Sequence, residues 1–376
     1  MREWGYDGKL KAGHSNIHAF MQEIVRIVGN INRRQFHLAC LNMAGVMAVG
    51  CSLPALAQHG SDKLKVTLAV GGKASFYYLP LTIAEQLGYF DAEGLDLEIV
   101  DFPSSVRAQQ ALASGNADVV CGAFEHLISL HSKQQLVQSF VALGRAPQMA
   151  MGVSVKNMPN YRRLSDLKGK RIGIAAPGTG TNMMANVLLQ RAGLQQSDVS
   201  YIGVGTAAGA LSAIRTGQID AICNLEPTMT QLEQKGEIKI IADSRTLRGT
   251  QAIFGGPMPG ACMYAQTEFI QKNRAVVQAL SNAIVKALKW LQTAGPRDLI
   301  RIVPESYLLG DRGLYLTIYS NLRESIALDG LIYDDAAKTS LRVMANFDPL
   351  VKAERLDISK VYTNVYAKQS KLQFDA

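Results

Sequence analysis

The chain has 376 residues and a formal net charge of +8, with 48% apolar and 19% charged residues. This composition is typical of a globular protein, and it excludes a disordered, collagen-like or coiled-coil chain. No block of lysine and arginine with interleaved aromatic residues is present, so we expect no nucleic-acid partner.

Residues 1–57 are predicted to be an N-terminal extension that carries an export signal. Arg33 and Arg34 precede an apolar stretch over 38–54, and Ala55-Leu56-Ala57 follows it. A basic region, an apolar region and small residues in this order form a cleavable signal peptide. We therefore predict cleavage after Ala57 and a periplasmic mature chain.

Three questions about this segment stay open. The paired arginines fit both a twin-arginine signal and an ordinary export signal. Ala48-Val49-Gly50-Cys51 offers a lipoprotein alternative, although Ala48 stands where leucine is usual. Residues 1–20 resemble neither a signal nor a domain, which makes Met21 an alternative start.

The mature chain keeps Cys121, Cys223 and Cys262, each among apolar neighbours. Such surroundings favour buried, unreactive thiols. A disulfide between Cys121 and Cys223 is an open alternative. The spacing of cysteine and histidine matches no zinc motif, and we expect neither a metal nor another cofactor.

Strand and helix patterns alternate from residue 63 onwards. Strands are predicted over 65–70, 97–100 and 117–121, and helices over 79–87 and 106–113. Strands that are separated by helices of about ten residues indicate βαβ units in a parallel sheet.

The same order returns about 102 residues later. Strands are predicted over 171–175, 199–204 and 219–223, with helices over 182–191 and 208–215. Gly, Asp and Cys of segment 114–121 recur at the same positions in segment 216–223. We therefore predict two similar α/β lobes, each a mostly parallel sheet flanked by helices.

Loops at the carboxyl ends of these strands are rich in Gly, Ser and Thr, and several lead directly into helices. Ligands of open α/β sheets bind beyond these strand ends, where free N–H groups of helix N-termini attract anions. The candidate ligand-binding residues are Lys73, Ser75, Phe76, Tyr77, Ser104, Ser105, Gly122, Ala123, Phe124, Glu125, Thr179, Gly180, Thr181, Asn182, Thr206, Asn224 and Glu226.

Three kinds of chemistry are expected from these candidates. Aromatic side chains such as Tyr77 could flank a planar solute. Lys73 could pair with an anion, as could Arg107 and, less well placed, Arg145. Glu125 and Glu226 could instead bind a ligand ammonium, cap helices or face a membrane partner.

Segments 75–90 (SFYYLPLTIAEQLGYF), 93–98 (EGLDLE) and 166–173 (DLKGKRIG) carry a family resemblance. They resemble the periplasmic substrate-binding proteins of the nitrate, sulfonate and taurine (NMT1/THI5-like) ABC importers. The resemblance covers about residues 64–350. It implies the two-lobe type II periplasmic binding protein fold, with two hinge crossovers.

The resemblance also implies the domain boundaries. Lobe one is expected over 58–155 plus 256–376, and lobe two over 156–255, with crossovers near 150–155 and 255–261. Further helices are predicted over 267–292, 311–326 and 335–345, packed on lobe one.

By the same resemblance, the protein is a monomeric, non-enzymatic solute-binding component of an importer. It would capture a small organic anion or zwitterion, sulfonate-like, taurine-like or aromatic, by closing its lobes, and deliver it to a membrane permease. Two alternatives stay open, an enzyme of the pyrimidine-synthase-like branch of the fold and a ligand sensor for a receptor.

Overall fold

Two five-stranded sheets organise the described part of the chain. The computed structural model describes residues 63–308 and 310–375. The predicted export signal, the cleavage after Ala57 and the lipoprotein alternative at Cys51 lie outside these residues. The strands are β1 (Leu64–Gly71), β2 (Leu95–Phe102), β3 (Val119–Ala123), β4 (Val137–Ala142), β5 (Met149–Ser154), β6 (Arg171–Ile174), β7 (Ser200–Gly203), β8 (Ala221–Leu225), β9 (Ile238–Asp243) and β10 (Ala261–Gln266).

Helices connect these strands and extend the chain after β10. They are α1 (Leu79–Gln86), α2 (Tyr89–Ala92), α3 (Ser105–Ala113), α4 (Glu125–Ser132), α5 (Gly180–Arg191), α6 (Ala208–Arg215), α7 (Thr228–Gln234), α8 (Leu247–Phe254), α9 (Thr267–Lys272), α10 (Arg274–Thr293), α11 (Pro296–Ile302), α12 (Arg312–Leu322), α13 (Asp334–Phe347) and α14 (Val365–Phe374).

The two sheets have the same topology. Strand order is β2-β1-β3-β10-β4 in the first sheet and β7-β6-β8-β5-β9 in the second. In each sheet four strands run in one direction, and the strand that enters from the other lobe runs antiparallel between two of them. The prediction of two α/β lobes with mostly parallel sheets is confirmed.

One hydrogen-bond pattern explains the aspartate that recurs between the lobes. The Asp118 carboxylate accepts from the backbone N–H of Thr67, and the Asp220 carboxylate accepts from that of Arg171, both at 2.9 Å. The backbone N–H of each aspartate donates to the carbonyl of the same partner residue. Each carboxylate therefore fixes the first strand of its lobe to the start of the third.

The first crossover lies earlier than the sequence analysis places it. Residues 150–155, where the crossover is expected, are mostly part of β5, which is fully buried and pairs with β8 and β9 of the second sheet. The connection between the sheets is therefore 143–148, and the second sheet begins at Met149 rather than after 155. The return connection to the first sheet is 255–260, between α8 and β10. A run of apolar residues shows that β5 is buried, but it does not show in which sheet.

The open alternative of a Cys121–Cys223 disulfide is not realised. Both thiols are free and buried, and they lie on β3 of the first sheet and β8 of the second. The matching positions of these cysteines reflect equivalent buried strand sites in the two lobes.

The chain after β10 packs against both lobes, not against lobe one alone. The helix expected over 267–292 is divided at Asn273 into α9 and α10, and α10 packs on α1 of lobe one. Helix α13 contacts α4 of lobe one and α5 of lobe two. Gln190 of α5 also donates to the Asn346 carbonyl of α13 at 3.1 Å.

Two further features of the described residues bear on function. Within the described ranges, no helix combines the length and the apolar character needed to span a lipid bilayer. Among the same residues, no group of three or more His, Cys, Asp or Glu side chains is arranged to hold a metal ion.

Candidate functional site

A narrow cleft lies between the lobes, where loops at the carboxyl ends of both sheets meet. The cavity inside it has a volume of about 40 Å³. The space is therefore small in this structure, in which the two lobes touch. The lining residues are Gly71, Tyr77, Tyr78, Pro103, Ser104, Ser105, Ala123, Glu125, His126, Pro147, Met149, Ala175, Thr179, Gly180, Thr181, Thr206 and Leu225.

Aromatic rings form part of the lobe-one wall. After β1 the chain turns at Gly72, whose carbonyl accepts from the Ser75 N–H and hydroxyl, and a short 3₁₀ turn then precedes α1. This turn brings Tyr77 and Tyr78 to the cleft, with ring centroids 5.2 Å apart and edge to face. Burial raises the pKa of both hydroxyls, so they stay protonated.

Glu125 and His126 stand side by side at the start of α4, directly after β3. Their side chains are almost completely buried, at 3% and 4% exposure. Burial raises the pKa of the Glu125 carboxyl to about 7, although its own backbone N–H acts in the opposite direction. Burial lowers the pKa of His126 to about 4, so this imidazole is neutral near pH 7.

Lobe two contributes hydroxyl groups and the N-terminus of α5. The Thr181 hydroxyl accepts from the Ala175 N–H at 3.0 Å and lies 2.8 Å from the Thr179 hydroxyl. The first N–H groups of any α-helix have no intrahelical acceptor, and together they attract negative charge. A Cβ on Gly180 would overlap Oε1 of Glu125, so glycine lets the two lobes approach here.

The lobes also meet beside the cleft through a backbone contact. The Phe76 N–H of lobe one donates to the Glu226 carbonyl of lobe two at 3.2 Å. The structure therefore has the two lobes in contact around the cleft.

Nine of the predicted ligand-binding residues line this cleft. From lobe one they are Tyr77, Ser104, Ser105, Ala123 and Glu125, and from lobe two they are Thr179, Gly180, Thr181 and Thr206. Loops predicted separately from the two halves of the sequence thus come together in one place.

The predicted residues outside the lining are Lys73, Ser75, Phe76, Gly122, Phe124, Asn182, Asn224 and Glu226. Phe76 packs against Tyr315, with ring centroids 4.2 Å apart, and Phe124 is fully buried in the lobe-one core. The Asn224 amide donates to the Gly205 carbonyl at 2.9 Å.

The charged candidates other than Glu125 have partners elsewhere. Lys73 forms an ion pair with Glu85 at 2.5 Å, and Glu226 pairs with Arg245 at 2.6 Å. Arg107 is outside the lining and bonds to Gln110 on its own helix. In the described residues, the cleft therefore has no lysine or arginine in its lining.

Two polar lining residues, Tyr78 and His126, are not among the predicted ligand-binding residues. A signal for His126 is available, because it directly follows Glu125 at the start of the helix after the third strand.

Comparison with known proteins identifies the family. The NMT1/THI5-like family model matches residues 75–296. A protein of solved structure from Bordetella bronchiseptica RB50 is 48% identical, covers 84% of this chain and 99% of its own, and has a TM-score of 0.81. The alkanesulfonate-binding protein SsuA from Xanthomonas axonopodis pv. citri, bound to MOPS, is 16% identical with a TM-score of 0.62, and the match covers 81% of this chain and all of that one.

A named enzyme is also similar. The 4-amino-5-hydroxymethyl-2-methylpyrimidine phosphate synthase of Schizosaccharomyces pombe is 28% identical over 59% of this chain. The match spans 64% of the length of that enzyme. From the family model and the shared two-lobe architecture, the chain belongs to the NMT1/THI5-like family and has the fold of the periplasmic binding proteins.

Proposed function

We propose that the protein is the extracytoplasmic solute-binding component of an ABC importer. In this role it captures a small organic solute between its lobes and delivers it to a membrane permease. The observation that carries this proposal is the convergence of polar groups from both lobes on one small cleft. Two connections, 143–148 and 255–260, join the lobes beside the cleft and would permit hinge closure.

The predicted solute class, an organic anion or zwitterion, has partial support. Lys73, Arg107 and Arg145 do not line the cleft, so an anionic group would rely on the N-terminus of α5 and nearby hydroxyls. Such groups bind anions without a formal positive charge. The aromatic wall formed by Tyr77 and Tyr78 supports an organic solute over an inorganic ion.

Binding can be tested with the purified protein and a panel of taurine, ethanesulfonate, nitrate, benzoate, benzamidine and pyrimidines. A true ligand at ~100 times its dissociation constant adds about 2.7 kcal/mol of stability, which raises the melting temperature. Small-angle scattering should also report a compact form in the presence of that ligand. A panel without any such effect would contradict the proposal.

A pair of glycine variants locates the site. Gly180→Leu places a side chain against Glu125 and Met149 and should abolish ligand-dependent stabilisation. Gly313→Leu is the matched control, because Gly313 also lies in the first turn of a helix, is exposed, and has only the Asp311 carboxylate near its Cβ position. Equal binding by both variants would move the site elsewhere.

The named synthase among the relatives supports a second candidate function, an enzyme acting on a bound heterocycle. Mass spectrometry of a ligand recovered after prolonged incubation separates the two functions. An importer component returns its ligand with unchanged mass, whereas an enzyme returns a product.

A further inference from the structure

Glu125 is a buried carboxylate without a cationic partner in the described structure. Its side chain is 3% exposed and lines the cleft, and it forms no ion pair with any described lysine, arginine or histidine. Buried charges in proteins are normally paired, because removing an unpaired charge from water is costly. Without such a partner Glu125 keeps its proton up to about pH 7, and a positive group that the described chain does not provide would stabilise the charged form.

The groups that face Glu125 are neutral. Tyr77 and Tyr78 approach from the turn before α1, and Cys262 and Tyr264 approach from β10, where burial also keeps the Tyr264 hydroxyl protonated. Burial raises the pKa of each of these groups, so none carries a charge near pH 7. From lobe two the facing residue is Gly180, at the N-terminus of α5. The N-terminal ends of the nearby helices are thus the remaining source of partial positive charge. Burial raises the pKa of Glu125 more than these N–H groups lower it.

His126 provides a second, independent observation in the same cleft. Both of its ring nitrogens are buried and have no hydrogen-bond partner in the structure. A neutral imidazole offers one donor and one acceptor. Buried polar atoms are nearly always hydrogen-bonded, so each unsatisfied one calls for an explanation. A bound solute with its own polar nitrogen would supply the missing partner.

The shape of the cleft limits the rest of the solute. Tyr77, Tyr78, Pro103, Pro147 and Leu225 provide apolar surface around the carboxylate. Aromatic rings stack or pack edge to face with planar groups, so these walls favour a flat solute once the lobes separate far enough to admit it.

We propose that this cleft selects a planar organic base, whose protonated nitrogen pairs with Glu125 and whose N–H groups reach His126. This inference rests on the proposed solute-binding function and narrows it. Anionic solutes without a basic nitrogen, such as nitrate and simple alkanesulfonates, are then poor ligands. On binding, the solute's positive charge replaces the proton that Glu125 holds below about pH 7.

Three ring compounds of nearly the same shape test this inference. Benzamidine is a planar cation, benzamide is its neutral counterpart, and benzoate is its anionic counterpart. Calorimetric titration of the purified full chain at pH 8 should give at least tenfold tighter binding of benzamidine than of either other compound. Glu125→Gln keeps the shape of the side chain and should remove most of that preference.

A control variant tests whether the loss of any carboxylate has the same effect. Glu268→Gln removes an exposed carboxylate on α9, outside the cleft lining, and should leave the preference for benzamidine within about threefold of wild type. A preference for benzoate, or a preference for benzamidine that survives Glu125→Gln, would overturn the inference.

Failure of the inference and failure of the proposed function give different results. Binding of benzoate, ethanesulfonate, taurine or nitrate without binding of benzamidine keeps the solute-binding function and overturns the organic-base inference. No binding of any of these compounds overturns both.

Discussion

The two lobes share one topology but contribute different chemistry to the cleft. Both lobes supply hydroxyls and helix N-termini, but the aromatic rings, the carboxylate and the imidazole all come from lobe one. The feature that the lobes do share, the aspartate that fixes the first strand, lies away from the cleft. The repeat therefore preserves what each sheet needs to fold, while the residues at the strand ends differ.

The glutamates that follow the third strand of each lobe show this contrast most clearly. Glu226 of lobe two is buried in an ion pair with Arg245, which also contacts Asp243 and Glu233. Glu125 of lobe one is equally buried, without a cationic partner in the described residues. One carboxylate stabilises its lobe, and the other is available to a solute.

Removal of the lobe-two cation should have the largest effect. Arg245→Met leaves the buried Glu226 carboxylate without its partner and should lower the free energy of unfolding by about 3–5 kcal/mol. Lys73→Met is the matched change in lobe one, where the partner Glu85 is one third exposed, so the loss should be about 1 kcal/mol or less. Urea denaturation measures both, and equal losses would contradict the contrast.

The pH dependence of stability should reveal the unpaired carboxylate. The pKa of Glu125 is raised from 4.5 to about 7 in the folded state, so its contribution to stability is full below pH 4.5 and is lost as pH rises through 7. The difference corresponds to about 3 kcal/mol. Glu125→Gln should remove this part of the decline, measured by urea denaturation between pH 4.5 and 8.

His126 acts in the opposite direction over much of the same range, which makes the variant comparison necessary. Its pKa falls from 6.5 to about 4, so its contribution is present above pH 6.5 and is lost as pH falls. Parallel pH profiles for wild type and Glu125→Gln would contradict the placement of Glu125 as a buried, unpaired acid.

The repeated aspartates should differ by a smaller amount. Asp220 pairs with the Arg171 side chain at 2.7 Å and also accepts from Asn157, whereas Asp118 accepts from the Thr67 N–H without an ion pair in the described structure. Asp220→Ala should therefore cost about 2 kcal/mol and Asp118→Ala about 1 kcal/mol. Thermal melts of both variants check the order, and the reverse order would contradict it.

Helix caps should give the smallest difference. Thr246 accepts from the Gly249 N–H at 3.0 Å in lobe two, and Ser104 accepts from the Arg107 N–H at 3.4 Å in lobe one. Replacement of Thr246 by alanine should cost about 1 kcal/mol, and replacement of Ser104 should cost less. Because Ser104 lines the cleft, its variant should also weaken ligand-dependent stabilisation, which Thr246→Ala should not do.

The sequence predicts the two lobes well because the evidence for them is local and occurs twice. Strand and helix periodicity and the recurring Gly, Asp and Cys follow from the needs of each sheet. The first crossover is misplaced because β5 pairs with β8, about 70 residues away, and no local pattern records that pairing.

The candidate site is predicted only in part, for a similar reason. Loops at the carboxyl ends of strands can be identified from the sequence, and Glu125 and Thr181 are found in this way. The charged residues Lys73 and Glu226 lie outside the cleft lining and pair with Glu85 and Arg245, which are 12 and 19 residues away and meet them only in the fold. Whether a charged side chain has an ion-pair partner depends on the tertiary structure and cannot be read from the neighbouring sequence.

Helix α13 adds a third link between the lobes, beside the connections 143–148 and 255–260. It touches α4 and α5, the two helices whose N-termini face each other across the cleft, and it does so away from their cleft ends. Ser129 of α4 donates to Asp348, which directly follows α13, at 3.1 Å, while Gln190 of α5 holds the Asn346 carbonyl. Opening of the cleft would therefore tilt α4 and α5 about their shared contact with α13. The width to which the cleft can open is then set by how far the side chains between α13 and these two helices can slide. A substitution on the outer face of α13 would therefore change the opening of the cleft.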